Sequence, residues 1–369
     1  MDLPVPFPLK PMLAKPNDGI PEGDWLFEPK WDGFRCLVFR DGDEVVLGSR
    51  NERPLTRYFP DLLDPLRAAL PPRCVVDGEI VVAVDDRLDF DALGQRIHPA
   101  ESRVDMLARQ TPADFVAFDL VALDDRSLLD EPFRSRRAEL EQVLRPGPRV
   151  HLTPMTDDRD VAGEWFRTVE GAGLDGLIAK DPAGRYEPDK RVLRKVKHQR
   201  TADCVAAGFR WHKDGKGVGS ILLGIHAGTR DEPGELRHVG VSASFTAKRR
   251  AELVDELAPL VIDPGSDEFA DHPWSRWYEA PDPAAGRHES GQLPGAPNRW
   301  NSQRDQSWVP LRIERVVEVG YTIMTAGRFR GTTRLVRWRP DKTPAECTYD
   351  QLDVVPPMSF ADVLVPPAP

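Results

Sequence analysis

The run Lys30-Trp31-Asp32-Gly33-Phe34-Arg35 places a lysine directly before an Asp-Gly turn and a predicted strand. Apolar alternation predicts that strand at 35–39, Asp41-Gly42 is a hairpin turn, and residues 44–47 return as its partner. An amine beside a turn acts as a nucleophile only if it loses its proton near neutral pH. Its pKa must therefore fall from about 10.4, through nearby cations or a metal. The run predicts a nucleophilic lysine if such groups accompany it.

Length and composition indicate a globular protein of two domains, since the chain has 369 residues, of which 40% are hydrophobic and 30% charged. No apolar run approaches the roughly 18 residues of a membrane span, and the N-terminus lacks a signal-peptide layout. The cysteines show neither zinc spacing nor a disulfide framework. We therefore expect a cytoplasmic protein without a membrane segment. The four scattered cysteines are Cys36, Cys74, Cys204 and Cys347.

The formal net charge of −10 argues at first sight against a nucleic-acid partner. Total charge is a poor guide where charge is segregated. Residues 185–200 hold seven Lys or Arg against two acidic residues, and residues 328–342 hold six against one. On composition alone these runs fit a solvated face as well as a nucleic-acid surface.

Periodicity predicts an α+β fold with antiparallel sheets, followed near residue 200 by a small β-barrel of the OB type. A helix is predicted at 247–257, with Thr246 as its N-cap. We expect domains at 1–200 and 201–357, an insertion or long loop at about 262–309, and a loosely held proline-rich tail at 358–369. The other predicted helices are 134–144 and 161–171, and the other predicted strands are 74–84, 115–123, 174–179, 192–196, 204–211, 220–225, 236–241, 313–321 and 334–338.

Six further runs carry residues suited to nucleotide chemistry. Phe118 offers an aromatic platform but fits a core position equally, and Arg50 also fits a structural role. Lys195 and Lys197 alternate along a strand, which puts both ammonium groups on one face. No Gly-rich phosphate loop of either common type occurs. The runs are Ser49-Arg50-Asn51, Asp77-Gly78-Glu79-Ile80, Phe118-Asp119-Leu120, Asp175-Gly176-Leu177-Ile178-Ala179-Lys180, Lys195-Val196-Lys197 and Arg337-Trp338-Arg339-Pro340-Asp341-Lys342.

Together with the first run, these motifs resemble, in order, those of the covalent nucleotidyltransferases: ATP-dependent DNA ligases, RNA ligases and mRNA capping enzymes. The chain looks most like the small two-domain bacterial ATP-dependent DNA ligases of the actinobacterial, ligase C-like type. Pro11-Met12-Leu13-Ala14 adds to that likeness. The resemblance implies a nucleotidyltransferase (adenylation) domain of antiparallel sheets with helices, followed by a C-terminal OB-fold β-barrel.

The resemblance also implies roles in the first part of the site. Lys30 takes AMP from ATP, which is the expected cofactor. Arg35 and Arg50 contact the ribose, or the phosphate and the nick. Glu79 bonds the ribose and is a candidate metal ligand. Phe118 stacks on the adenine, and Glu28 is also expected to bind the nucleotide.

Further roles follow for the later motifs. Lys180 fixes the phosphates or a carboxylate, while Lys195 and Lys197 are catalytic cations on the α-phosphate. Arg339 and Lys342 belong to a segment that in the family closes over the active site and orients pyrophosphate. Asp175, where the family has Glu, is expected to hold Mg²⁺, for which Mn²⁺ can substitute.

The implied function is sealing of nicks in duplex DNA through a lysyl-AMP and a 5′-adenylated DNA intermediate, in DNA repair. Expected partners are nicked double-stranded DNA and DNA repair proteins, and the expected state is a monomer. One alternative is an RNA ligase or capping-type guanylyltransferase, although capping enzymes prefer Thr at the place of Trp31. The other is a non-catalytic DNA-binding module, against which the intact Lys30 and Glu79 argue.

Overall fold

The computed structural model describes residues 1–278, 307–325, 327–353 and 355–365. It consists of two compact units, Met1–Lys197 together with Val355–Pro369, and His198–Val354. Within the described residues no helix is both long and apolar enough to cross a membrane. All four cysteines are free and buried.

The first unit contains strands and helices in alternating groups. Its strands are β1 (Ala14–Pro16), β2 (Leu26–Pro29), β3 (Phe34–Asp41), β4 (Glu44–Ser49), β5 (Arg73–Val84), β6 (Arg87–Leu88), β7 (Ala113–Leu123), β8 (Arg126–Ser127), β9 (Val150–Leu152), β10 (Leu177–Lys180) and β11 (Leu193–Val196). Its helices before residue 197 are α1 (Leu63–Ala69), α2 (Phe90–Gln95), α3 (Glu101–Gln110), α4 (Phe133–Val143) and α5 (Arg159–Thr168).

Two sheets form the frame of this unit. The larger has the order β4-β3-β5-β7-β8, with β6 beside β5 and β9 beside β7, and the smaller has the order β1-β11-β10-β2. In strand β3, Cys36 and Val38 point to a core shared with the helices, whereas Leu37 and Phe39 point to a core shared with the smaller sheet. This alternation follows the two-residue period of a strand. The large sheet therefore lies between a helical layer and the small sheet.

In its described residues, the second unit is built mainly from strands. Its strands are β12 (Arg200–Trp211), β13 (Val218–His226), β14 (Leu236–Ser242), β15 (Val309–Pro310), β16 (Val316–Tyr321), β17 (Met324–Thr325), β18 (Arg328–Phe329) and β19 (Arg334–Trp338). Its helices are α6 (Ala247–Leu257) and α7 (Asp267–Ala270), and α8 (Phe360–Leu364) belongs again to the first unit.

Five of these strands close into a barrel. Their order is β14-β13-β12-β16-β19, and a parallel bridge between Ser242 and Thr333 joins the ends of the series. Leu253 and Leu257 of α6 pack into the barrel core. The Thr246 hydroxyl accepts a hydrogen bond from the Arg249 amide, which confirms the predicted N-cap. The predicted fold class, α+β with an OB-type barrel, is confirmed.

Two segments differ from their sequence expectations. Residues 262–278 of the expected long loop contain α7, and Phe269 and Trp274 are buried against the barrel strands. The rest of that expected insertion, 279–306, lies outside the described residues. In the tail that is expected to be loosely held, residues 358–365 pack on the first unit, because Phe360 and Val363 are 9% and 4% exposed.

Candidate active site

A cavity of about 380 Å³ in the first unit holds most of the residues predicted to bind the nucleotide. It opens where the two sheets face each other, so side chains from both sheets reach it. The Pro11–Ala14 segment lines one side. The predicted residues that line the cavity are Glu28, Lys30, Arg35, Arg50, Glu79, Phe118, Lys180 and Lys195.

Lys30 follows the end of β2 and is fixed by its backbone. Its amide donates to the carbonyl of Gly176 at 2.8 Å, and its carbonyl accepts from the Asp175 amide at 3.3 Å. Gly176 has φ of +109° and its α-carbon lies against the Val196 carbonyl, so a side chain there has neither the conformation nor the space. The run that begins at Lys30 and the run that begins at Asp175 therefore meet at Lys30.

Asp175 connects two of the predicted catalytic lysines. Its Oδ2 is 3.1 Å from the Lys30 ammonium and also forms an ion pair with Lys197. The carboxylate is 11% exposed, so these contacts are only weakly screened by water. The residue predicted to bind metal thus holds the predicted nucleophile in the structure.

The register of the strands in the smaller sheet places the Lys195 side chain at the cavity. Ile178 of β10 is in register with Glu28 of β2 on one side and Lys195 of β11 on the other, so these side chains project from the same face. Partial burial lowers the pKa of Lys195, and the charges of Lys197 and Lys30 lower it further. A cation placed here can neutralise phosphate charge beside Lys30.

Arg35 and Glu79 enter from the large sheet, where they are in register on β3 and β5. Arg35 forms a bidentate ion pair with the fully buried Asp77, with both N···O distances 2.6 Å, and Tyr186 donates to the same carboxylate at 2.7 Å. Burial raises the pKa of Glu79 to about 7, although Arg35 and Lys30 oppose that rise. Asp77 therefore orients Arg35 beside Glu79.

Glu28 and Lys180 form a buried ion pair, with 2.8 Å between Lys180 Nζ and Glu28 Oε2. Burial raises the pKa of the Glu28 carboxyl, and the Lys180 charge opposes the rise. Lys180 also lies 4.5 Å from the centroid of the Phe118 ring, as does the Arg35 guanidinium carbon. Phe118 thus combines an apolar wall with two cation–π contacts.

Three predicted residues lie at the rim of the cavity or outside its unit. Arg50 is exposed in the turn after β4 and reaches the cavity rim. Arg339 and Lys342 belong to the second unit, where both contact Asp203. The structure thus assembles the motifs up to Lys197 in one unit and the last motif in the other.

Nowhere among the described residues do three or more His, Cys, Asp or Glu side chains form a cluster that could hold a metal. Mg²⁺ is commonly held by one or two carboxylates, with waters and substrate phosphates completing its shell. The contacts of Asp175 with Lys30 and Lys197 both use Oδ2, and Glu79 lines the cavity together with Lys30. This donor set fits Mg²⁺ bound together with a nucleotide and does not fit a closed structural site.

Several residues of the site were not found from the sequence. Trp31 lines the cavity, and its indole donates to the Thr153 hydroxyl at 2.8 Å. Arg137 of α4 donates to the Thr153 carbonyl and lies 3.7 Å from Glu28. One signal was available, because Arg136 and Arg137 occupy the apolar face of α4 with Leu140. A buried arginine requires an acidic or carbonyl partner.

The C-terminal segment also supports the site. The Phe360 ring packs edge-to-face on Trp31 and on His151, with centroid distances of 5.8 and 5.5 Å. The Phe360 amide donates to the Asp86 carbonyl at 2.6 Å. The chain thus returns from the second unit to pack beneath a residue adjacent to Lys30.

We expect Phe360→Ala to lower the free energy of unfolding by about 3–5 kcal/mol, because it removes a buried aromatic ring and leaves a cavity. Val365→Ala is the matched control, since Val365 is 64% exposed in the same segment, and its effect is expected within about 0.5 kcal/mol. Urea unfolding followed by circular dichroism measures both. Equal stability of the two variants would show that the segment does not pack as described.

A lysine fixed in a cavity of cations and carboxylates, in a two-sheet unit followed by an OB-type barrel, defines a covalent nucleotidyltransferase. The family described as ATP dependent DNA ligase domain matches residues 11–197. The chain belongs to the ATP-dependent DNA ligases.

Individual relatives extend this likeness over the whole chain. The chain is 52% identical to DNA ligase C of Mycobacterium tuberculosis H37Rv, over 99% of each chain. It is 53% identical to DNA ligase C2 of Mycolicibacterium smegmatis, over 96% of this chain and 97% of that protein. A solved structure of a Lig E DNA ligase shares the fold, with a TM-score of 0.50 and 17% identity over 89% of this chain and 99% of that one.

Proposed function

We propose that this chain seals nicks in duplex DNA with ATP as cofactor, and that Lys30 carries the AMP. The observation that carries the proposal is the position of Lys30, whose ammonium is 3.1 Å from Asp175 in a cavity that Lys195, Arg35 and Glu79 also line. The first unit acts as the adenylation domain and the second unit as the OB-fold domain.

Three transfers make up the reaction. The Lys30 amine, after losing its proton, forms a bond to the α-phosphorus of ATP, and the bond from that phosphorus to pyrophosphate breaks. The 5′-phosphate at the nick then takes AMP from Lys30, which restores the amine. Finally the 3′-hydroxyl bonds to the 5′-phosphorus, AMP leaves with the bonding electron pair, and the hydroxyl proton is released.

The cavity residues bind and position the nucleotide in these transfers. Phe118 and Glu28 contact the adenine, and Glu79 accepts from or donates to the ribose hydroxyls. Lys195 and Lys197 neutralise charge at the α-phosphate, which lowers the barrier to displacement. Arg35 contacts the ribose or phosphate from the position that Asp77 fixes.

Other cations act on the ends of the substrates. Arg50 at the cavity rim contacts the phosphate at the nick. Lys180 holds Glu28 in place. Arg339 and Lys342 of the second unit act on the pyrophosphate leaving group in the first transfer alone.

Mg²⁺ would be held by Asp175 and Glu79 together with the phosphates of ATP. When bound, it supplies positive charge that polarises the phosphate oxygens. The protein's own contribution is to present these carboxylates beside Lys30 and to exclude part of the water around them.

We expect Asp175→Ala to raise the Mg²⁺ concentration needed for half-maximal self-adenylation by about 10-fold or more, because it removes a carboxylate ligand. Asp64→Ala is the control, since Asp64 is 94% exposed and pairs with Arg67. Titration of Mg²⁺ and of Mn²⁺ in a self-adenylation assay measures the change. An unaltered metal requirement in Asp175→Ala would remove Asp175 from the metal site.

DNA is contacted mainly at its phosphates, by the basic runs 185–200 and 328–342. Such contacts release counterions, so binding to nicked DNA weakens as salt rises. We further propose that the protein is a cytoplasmic monomer and that it works in DNA repair with repair proteins as partners.

Sealing assays with matched substrates test the proposal. Nicked duplex DNA and nicked RNA of the same sequence are incubated with ATP or with GTP. The proposal expects sealing of the DNA with ATP alone. Sealing of RNA only would favour an RNA ligase, use of GTP would favour a guanylyltransferase, and binding of the nick without adenylation would favour a DNA-binding module.

A further inference from the structure

Arg339 and Lys342, the predicted pyrophosphate-binding residues, converge on one acidic side chain that the sequence did not single out. Asp203 lies on β12 with its side chain 8% exposed. Arg339 Nη1 is 3.0 and 3.1 Å from its two carboxylate oxygens, and Lys342 forms an ion pair with Oδ2. All of these residues belong to the second unit.

The backbone of Asp203 is itself held in place. Gln351 accepts a hydrogen bond from the Asp203 amide at 2.6 Å and donates to the Asp203 carbonyl at 3.0 Å. On the neighbouring strand β16, Glu318 is in register with Asp203. The Glu318 carboxylate is 3.8 Å from Arg339. The carboxylate of Asp203 is therefore a fixed point against which both cations are oriented.

Arg339 uses different edges for Asp203 and Asp341. Nη1 faces the buried Asp203, whereas Nε and Nη2 contact Asp341 at 3.0 and 2.8 Å. Asp341 is 60% exposed, and an exposed ion pair is weak enough to exchange with another anion. The Nε–Nη2 edge is also the fork that binds phosphate oxygens in bidentate fashion.

We propose that Asp203 is a positioning residue for the adenylation step, which it serves by holding Arg339 and Lys342 together with the Nε–Nη2 edge of Arg339 facing outward for pyrophosphate. Two cations three residues apart repel each other, and a shared buried carboxylate offsets that repulsion. The inference rests on the proposed role of Arg339 and Lys342 in the first transfer. Asp203 itself does not touch the nucleotide.

Asp203→Asn tests this in the full-length protein after discharge of bound AMP with pyrophosphate. Two rates are measured: self-adenylation over a range of ATP concentrations, and sealing of a nick that already carries AMP, without ATP. We expect self-adenylation to fall roughly 10- to 100-fold while sealing of the pre-adenylated nick stays within about 2-fold. Asp353→Asn is the control. Asp353 is 73% exposed and pairs with Arg200, which lies on β12 as Asp203 does.

Two outcomes would overturn the inference: unchanged self-adenylation, or an equal loss of both rates, which indicates a structural role only. If Asp203→Asn does not fold, Asp203→Glu keeps the charge but displaces it, and the same selective loss of adenylation is expected. Lys342→Ala is measured in parallel. If Lys342→Ala loses adenylation selectively and the Asp203 variants do not, the inference alone fails. If Lys342→Ala shows no selective loss, the proposed role of the last motif fails.

Discussion

Replacement of Lys30 by alanine is expected to abolish sealing of an ordinary nick, by a factor on the order of 1000 or more, because no other group takes AMP from ATP. Sealing of a nick that already carries AMP is expected to continue, since the third transfer does not use the amine as a nucleophile. Lys30→Arg should behave in the same way, because guanidinium stays protonated.

The measurement is a sealing assay on both nicks with a control lysine from the second unit. Lys248→Ala serves, since Lys248 is 88% exposed on α6 and pairs with Glu252. Retention of ATP-dependent sealing by Lys30→Ala would transfer the AMP-accepting role to another residue. Loss of sealing on both nicks would mean that Lys30 is needed for the fold or for the nick itself.

A large loss of stability is also expected from the replacement of Arg136 in α4. Its guanidinium pairs with Asp119 of β7 at 2.8 and 2.9 Å, and the two side chains are 0% and 1% exposed. Arg136→Met leaves the Asp119 charge buried without its partner, so we expect the free energy of unfolding to fall by about 3–5 kcal/mol.

Arg134 provides the matched control for that variant. It lies on the same helix, but its pair with Asp24 is 57% and 77% exposed, so Arg134→Met should change stability by less than about 1 kcal/mol. The double variant Arg136→Met with Asp119→Leu should recover much of the loss, because it removes both charges. Denaturant unfolding of the wild type, Arg134→Met, Arg136→Met and the double variant measures these effects. Equal losses for Arg134→Met and Arg136→Met would contradict the burial described.

Local patterns predicted much of the fold. The Asp41-Gly42 turn predicted the β3–β4 hairpin, and in the structure Asp41 pairs with Glu44 across that turn. Helix α6 occupies the predicted residues 247–257 because Thr246 supplies a side-chain cap and Leu253 and Leu257 an apolar face. These signals lie within a few residues of the element that they specify.

Contacts between distant parts of the chain were not predictable in this way. The helix predicted at 161–171 continues as α5 only to Thr168. A 3₁₀ turn follows at Val169–Ala172. Nothing near Phe360 in sequence indicates that it packs on Trp31, and nothing near Asp203 indicates that it pairs with Arg339. Such contacts depend on how the sheets pack and not on local propensity.

The site shows the same division. The motif around Lys30 predicted the nucleophile, and the structure brings Glu28, Glu79, Phe118 and Lys195 to the same cavity. The order of motifs could not reveal that Asp175 contacts Lys30, because that contact depends on the backbone bonds between Lys30 and Gly176. Pairings of this kind come from three-dimensional structure alone.

The proposed function depends above all on transfer of AMP from ATP to Lys30. The most direct test incubates wild-type protein, first discharged with pyrophosphate, with α-labelled ATP or GTP and Mg²⁺. A denaturing gel then detects covalent label, and peptide mass spectrometry locates it. We expect label from ATP only, on the peptide that contains Lys30. Absence of label after discharge, label on another residue, or equal labelling from GTP would contradict it.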